Sequence, residues 1–293
     1  MKKHIRNLVF FGLAVVLVSG CALDDSEKMK TAAGKDMFTA WDASFNRLVS
    51  DILEPAFNFN AWLAAPESEK EEILNRLFLG NGNSYYEEQI TFTELSPNHW
   101  VFRFRNEVIL QFQIIDGNSL NDPDAMLIVQ LAGHKSFWDC FINMPVFIKN
   151  AGPGKWTVAS NGSDECMLSG TLSLKDWNHD YAPASLFSES DIEFEGNGFV
   201  TYHSGDNYYL TFKTEHPVSW NWDLGNGSNY YSHEWWNYGF TSNWMIKSGK
   251  VRLTAYDKDG TQGNTTMVTA LGNQNISVEI GGVTQEWSLK LYP

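Results

Sequence analysis

The chain has 293 residues and a formal net charge of −14 at pH 7. A protein this acidic repels phosphate backbones, which argues against a nucleic-acid partner. The length is sufficient for one large hydrophobic core or for two domains.

Residues 1–20 have the pattern of a secretory signal peptide. Lys2, Lys3 and Arg6 precede an unbroken apolar run over residues 8–18. A helix needs roughly 20 apolar residues to cross a bilayer, so this run is too short to be a membrane span. Removal of residues 1–20 lowers the formal net charge from −14 to −17, because three cationic residues leave and no acidic residue does.

The apolar run ends in Val18-Ser19-Gly20-Cys21. This tetrapeptide resembles the lipobox of bacterial lipoproteins. The resemblance implies cleavage before Cys21, a diacylglycerol thioether on its sulfur and often a third chain, such as palmitate, on the new amino terminus. Two or three acyl chains anchor a protein durably, since each buried CH₂ contributes about 0.8 kcal/mol. An ordinary secreted protein with a chance cysteine is the alternative.

The residue after Cys21 indicates which membrane would hold the anchor. Residue 22 is Ala. In the enteric lipoprotein family, an Asp at this position retains the product at the inner membrane. The resemblance therefore favours a cell-envelope protein that is anchored to the outer membrane.

The first part of the mature chain is predicted to be a lipid-anchored linker over residues 21–35, followed by a helical segment over residues 36–86. Apolar residues recur at three- and four-residue spacing from Phe38 to Ile52, which is typical of an amphipathic helix. Pro55 is expected to end this helix. Pro66 is expected to begin a second one that ends at Gly80.

From about residue 87 the apolar period changes to two. Leu110 and Phe112 belong to one such run, and turn sequences such as Asp116-Gly117 separate the runs. Short alternating strands with Gly, Asn and Asp turns predict an antiparallel sheet. No helical pattern lies between the runs, so we expect a mainly β protein with a sandwich or barrel-like body.

The β region is predicted to contain two internally similar units, residues 87–187 and 188–293. Residues of the same type recur in the same order about 100 positions apart. The matches are Leu110 and Phe112 with Leu210 and Phe212, His134 and Trp138 with His233 and Trp236, Ile148-Lys149 with Ile246-Lys247, Gly154-Lys155 with Gly249-Lys250, and Met167 with Met267. The alternative is that any two β meanders align in part.

The stretch over residues 220–244 is unusually aromatic. It contains nine aromatic residues, five of them Trp. Four aromatic residues lie within residues 214–232, whereas the corresponding residues 114–133 of the first unit contain none. Aromatic rings beside amides and carboxylates suit sugars, because a pyranose face stacks on the ring while hydroxyls form hydrogen bonds. The candidate ligand-binding residues are Trp220, Trp222, Asp223, Tyr230, Tyr231, Glu234 and Trp235. The alternative is an irregular loop whose rings cap the sheet.

These features favour a non-catalytic envelope lipoprotein that binds an extracellular glycan. One alternative is a structural or assembly lipoprotein that docks on another envelope protein. A second is a glycoside hydrolase that uses Asp223 and Glu234, the only acids inside the aromatic stretch. Glycosidases hold two carboxyl groups about 5 Å or about 6.5–9.5 Å apart, and the sequence spacing does not specify such a geometry. No catalytic residue and no cofactor is predicted.

Two cysteines remain once Cys21 carries lipid. In an exported chain Cys140 and Cys166 can form a disulfide, and two buried thiols are an equally weighted alternative. No metal site is predicted. The sequence Asp257-Lys258-Asp259-Gly260 lacks the alternate ligands and the closing Glu of a calcium loop, so we expect a hairpin turn there.

Overall fold

The computed structural model describes residues 25–71, 90–104, 106–132, 144–160, 166–174, 192–222 and 244–289. The predicted signal peptide and Cys21 lie outside these residues. Within the described residues, a helical segment is followed by thirteen β-strands that form one sheet.

The helical segment has three parts. Helix α1 covers Asp25–Leu48, a π-helical stretch covers Val49–Leu53, and helix α2 covers Glu54–Ala64. Pro55 lies in the first turn of α2, where the missing N–H has no helical partner to lose. We had expected Pro55 to end the helical structure before it. Instead, Pro55 stands at the beginning of a further helix, and the helical segment continues to Ala64. Residues 67–71 form a further helical turn after Pro66, and residues 72–89 lie outside the described part.

Helix α1 begins at Asp25, eleven residues before the predicted start of the helical segment at residue 36. Residues 25–35 are therefore helical rather than a linker. The buried face of this first part carries small residues, Thr31 and Gly34, which do not contribute to an apolar stripe. A Cβ atom on Gly34 would lie 2.6 Å from Cγ1 of Val278, so the small residue allows the helix to approach the sheet closely.

The strands form an antiparallel meander in which each strand pairs only with its sequence neighbours. Their bounds are β1 Ile90–Ser96, β2 His99–Phe104, β3 Glu107–Ile115, β4 Met126–Leu131, β5 Pro145–Gly152, β6 Lys155–Ser160, β7 Met167–Leu174, β8 Ile192–Ser204, β9 Asn207–Trp222, β10 Trp244–Asp257, β11 Gln262–Gly272, β12 Asn275–Ile280 and β13 Val283–Ser288. The prediction of a mainly antiparallel β protein with an N-terminal helical segment is confirmed. The sheet is not closed, and β1 and β13 are its two edges.

The helical segment crosses the sheet broadly from β13 towards β1, although the π-helical stretch Val49–Leu53 contacts β4 before Phe57 contacts β6. The contacts, in helix order, are Thr31 with Gln285 of β13, Gly34 with β12 and β11, Trp41 with Phe212 of β9, Phe45 with Phe194 of β8, Phe57 with Trp156 of β6, and Phe59 with Phe112 of β3 and Phe92 of β1. The three helical parts have 24, 5 and 11 residues, a path of about 60 Å. Twelve interstrand steps of a flat sheet would span about 58 Å. One helical path is thus long enough to pack against every part of the sheet.

The two halves of the β region share this single sheet and one core. Leu110 and Leu210, which the sequence comparison matches, are both buried on the helix-facing side of β3 and β9. Gly154, however, lies in the turn between β5 and β6, whereas its counterpart Gly249 lies within β10. The organisation into two similar units stays a prediction.

Candidate functional site

The aromatic stretch is attached to the longest hairpin of the sheet. Strand β9 has 16 residues and β10 has 14. Trp222 and Trp244 are cross-strand partners at the end of this hairpin. Residues 223–243 connect the two strands and lie outside the described residues, as do the candidates Asp223, Tyr230, Tyr231, Glu234 and Trp235. For Trp222, the structure describes the backbone pairing only.

Trp220 lies in the core, and its predicted role as an exposed ligand-stacking ring is wrong. Its side chain is 0% exposed. The indole stacks on the ring of Phe45 with a centroid distance of 4.3 Å and an interplanar angle of 10°. Its cross-strand partners are Ile192 of β8 and Ile246 of β10, which are also buried. A ligand cannot reach this ring without unfolding the base of the hairpin.

The indole N–H of Trp220 has a specific acceptor. Nε1 donates a hydrogen bond of 2.8 Å to Oδ1 of Asp42 in helix α1. A buried N–H without an acceptor would be destabilising by about 1–3 kcal/mol, so Asp42 stabilises the burial of Trp220. Asp42 was not among the sequence candidates. The available signal was a single carboxylate next to Trp41, within the predicted apolar stripe.

The end of the sheet at which β9 ends is also the end at which the other odd-numbered strands end, and two of these are followed by long connections. In an antiparallel meander, alternate connections lie at the same end of the sheet. The connections at this end include residues 116–125 between β3 and β4, 175–191 between β7 and β8, and 223–243 between β9 and β10. The second and third lie outside the described residues. The strand ends that flank these three connections therefore lie at one end of the sheet.

The described part of this end is well ordered by hydrogen bonds. The main-chain amide of Leu120 donates to Oδ1 of Asn60 in α2 at 2.6 Å. The side-chain amide of Asn150 donates to the carbonyl of Leu120 at 2.8 Å. Oδ2 of Asp122 accepts a 2.7 Å hydrogen bond from the amide of Asn118. The connection over residues 116–125 is thus fixed to both the helix and strand β5.

A groove of about 500 Å³ lies between this connection and the turn that joins β5 to β6. Its walls include Leu120, Pro123, Asn150, Pro153 and Trp156, and none of its lining residues is charged. The volume is in the range of small-molecule pockets, about 300–1,000 Å³. None of the sequence candidates lines this groove, and no sequence motif marked it. Its walls offer shape and apolar contact rather than acid–base chemistry.

The described residues hold no group of three or more His, Cys, Asp or Glu side chains that could bind a metal ion. The predicted hairpin turn after β10 is present: Oδ1 of Asp257 accepts hydrogen bonds from the amides of Asp259 (2.9 Å) and Thr261 (2.7 Å), and Gly260 has a φ of +82°. These bonds use the carboxylate to close the turn.

Only one of the two cysteines lies within the described residues. Cys166 is buried directly before β7. Cys140 lies outside the described residues, so a bond between Cys140 and Cys166 stays a prediction.

Comparison of the chain with protein-family models, with curated proteins and with solved structures gave no match. Within the ranges that the structure describes, no helix combines the length and the apolar character that a bilayer crossing requires.

Proposed function

We propose that the protein is a non-catalytic cell-envelope lipoprotein, anchored to the outer membrane through acyl chains on Cys21, that binds a glycan. The proposed ligand contacts are Trp222, Asp223, Tyr230, Tyr231, Glu234 and Trp235. Trp220 is not among them, because its ring is buried.

The observation that carries this proposal is how the aromatic stretch is supported. The β9–β10 hairpin is fixed at its base by Trp220, which packs on α1, and by a 2.7 Å hydrogen bond between the hydroxyls of Ser219 and Ser248. A binding surface gains affinity when its support is rigid, since less ordering is needed on binding. A fixed base next to a Tyr- and Trp-rich connection supports a preorganised binding surface, and the residue types of the connection suit a glycan.

Binding can be tested by retention of the purified protein on gels that contain neutral or acidic polysaccharides. We expect Tyr231→Ala and Trp235→Ala to weaken retention strongly while the melting temperature stays within about 2 °C of the wild type, because surface substitutions change stability by about ±0.5 kcal/mol. Tyr256→Ala is the matched aromatic control. Tyr256 stacks on Tyr209 in the sheet, away from the hairpin end, and its loss should leave retention unchanged.

Two other outcomes would point elsewhere. Unchanged mobility with every polysaccharide, together with co-purification of one envelope protein, would favour the assembly role. Release of reducing sugar that Glu234→Gln abolishes would favour a hydrolase.

The anchor is tested separately. Cys21→Ser should remove the protein from the membrane fraction and abolish the incorporation of labelled fatty acid.

A further inference from the structure

The described fold begins very close to the proposed lipid anchor. Only residues 22–24 separate Cys21 from Asp25, the first residue of α1. An extended chain spans at most about 3.6 Å per residue, so the two Cα atoms lie within about 14 Å of each other. The beginning of α1 must therefore stay near the lipid headgroups when Cys21 is acylated.

The first turns of α1 pack against one edge of the sheet. Oγ1 of Thr31 donates a hydrogen bond of 2.6 Å to Oε1 of Gln285 in β13. Nζ of Lys35 lies 5.2 Å from the ring centroid of Trp287, also in β13. Thr31 is six residues beyond Asp25, a distance of about 9 Å along the helix. Strand β13 is thus fixed to the part of the helix that is nearest to the anchor.

The opposite edge of the sheet is held by the far end of the helical segment. The rings of Phe59 and Trp62 in α2 lie 6.1 Å and 5.0 Å from the ring of Phe92 in β1. Phe59 follows Thr31 by 28 residues, which corresponds to about 42 Å along the helical path. The two edges of the sheet therefore differ widely in their distance from the anchor.

We propose that the β13 edge of the sheet stands against the lipid headgroups and that the β1 edge lies farthest from the membrane. This orientation rests on the lipid anchor of the proposed function. Met29, in the second turn of α1, is 68% exposed, more than any other large apolar side chain that the structure describes. Contact of this side chain with the bilayer surface would remove it from water.

Charge favours an upright protein over one that lies flat. The chain from Cys21 onward has a formal net charge of −17, since residues 1–20 account for three cationic residues of a chain whose charge is −14. An acidic protein is repelled by anionic headgroups, so a broad face does not settle on such a membrane. An upright orientation raises the base of the β9–β10 hairpin, which Phe45 contacts, about 21 Å along α1 beyond Thr31. The aromatic stretch is then presented clear of the headgroups.

The orientation can be measured on the full-length lipidated protein in vesicles whose headgroups carry a fluorescence quencher. A fluorescent amino acid replaces either Thr284 of β13 or Thr93 of β1. These positions are matched, since both are exposed threonines on edge strands. We expect the probe at residue 284 to be quenched several times more strongly than the probe at residue 93. Equal quenching, or stronger quenching at residue 93, would overturn the proposed orientation.

Flotation of the same vesicles separates the two proposals. A protein that floats and shows equal quenching keeps its anchor but lacks the orientation. A protein that does not float, although Cys21 is intact, overturns the anchor and with it the orientation.

Discussion

Replacement of Trp220 should lower the free energy of unfolding rather than remove a ligand contact. The ring is fully buried, stacks on Phe45, and donates its N–H to Asp42. Trp220→Ala removes the ring and leaves a cavity, and such substitutions lower the free energy of unfolding by about 3–5 kcal/mol. Trp220→Phe keeps most of the buried ring but loses the hydrogen bond to a carboxylate, which is worth about 1.5–3 kcal/mol. Asp42 is partly exposed, so we expect the lower end of that range.

Urea unfolding followed by far-UV circular dichroism measures both effects. Circular dichroism is preferable to fluorescence here, because each variant removes a fluorophore. The variant Asp42→Ala removes the acceptor alone. The double variant Asp42→Ala/Trp220→Phe should then be less destabilised than the sum of the single variants, with a coupling of about 1 kcal/mol.

The burial of Trp220 is contradicted if the free energy of unfolding of Trp220→Ala lies within about 1 kcal/mol of the wild type while its retention on polysaccharide gels disappears. Removal of a buried aromatic ring lowers the free energy of unfolding by more than that. That result would mean that the ring faces solvent. If the effects of the two single variants on the free energy of unfolding simply add in the double variant, the hydrogen bond between Trp220 and Asp42 is refuted. The burial of the ring is not affected by that result.

Two further substitutions test the packing of the helical segment on the sheet. Gly34→Leu should overpack the contact of α1 with β11 and β12 and lower the free energy of unfolding by about 1–3 kcal/mol, whereas Ala33→Leu, one position along the helix, should be nearly neutral in a thermal melt. Asn60→Ala leaves the buried amide of Leu120 without its acceptor. We expect the free energy of unfolding to fall by about 1–3 kcal/mol and proteolysis within residues 116–125 to become faster. Asn121→Ala, at an exposed position of the same connection, is the control.

The sequence predicted the fold class because period-two alternation and turn residues survive in almost every strand. Leu110 and Phe112 are buried on one side of β3, and the predicted turns at Asp116-Gly117 and Asp259-Gly260 follow β3 and β10. The open meander could not be predicted in the same way. Alternation states which side of a strand is buried, but not whether the buried side faces a second sheet or a helix.

The position of Trp220 could have been predicted from the same alternation. Leu210, Phe212, Val218 and Trp220 are all at even positions, and all are buried. The alternation is broken at residue 216, which is exposed, and pairing with β10 shifts register near there. If the strand is predicted to end at Phe212, Trp220 is assigned to a loop. Continued through the irregularity, the period places this ring in the core.

The path of the helical segment explains why so long a single sheet can be stable. Within the part of the chain that the structure describes, the meander contains only local strand pairs, and all thirteen strands belong to one sheet. Each strand must therefore bury its apolar side against something else. The helical segment contacts β13 near its beginning and β1 near its end, so loss of one contact should weaken a defined part of the sheet. The same order ties position along the sheet to distance from the proposed anchor, because the segment begins next to Cys21. Stability and orientation at the membrane then depend on one element, and variants of α1 should affect both.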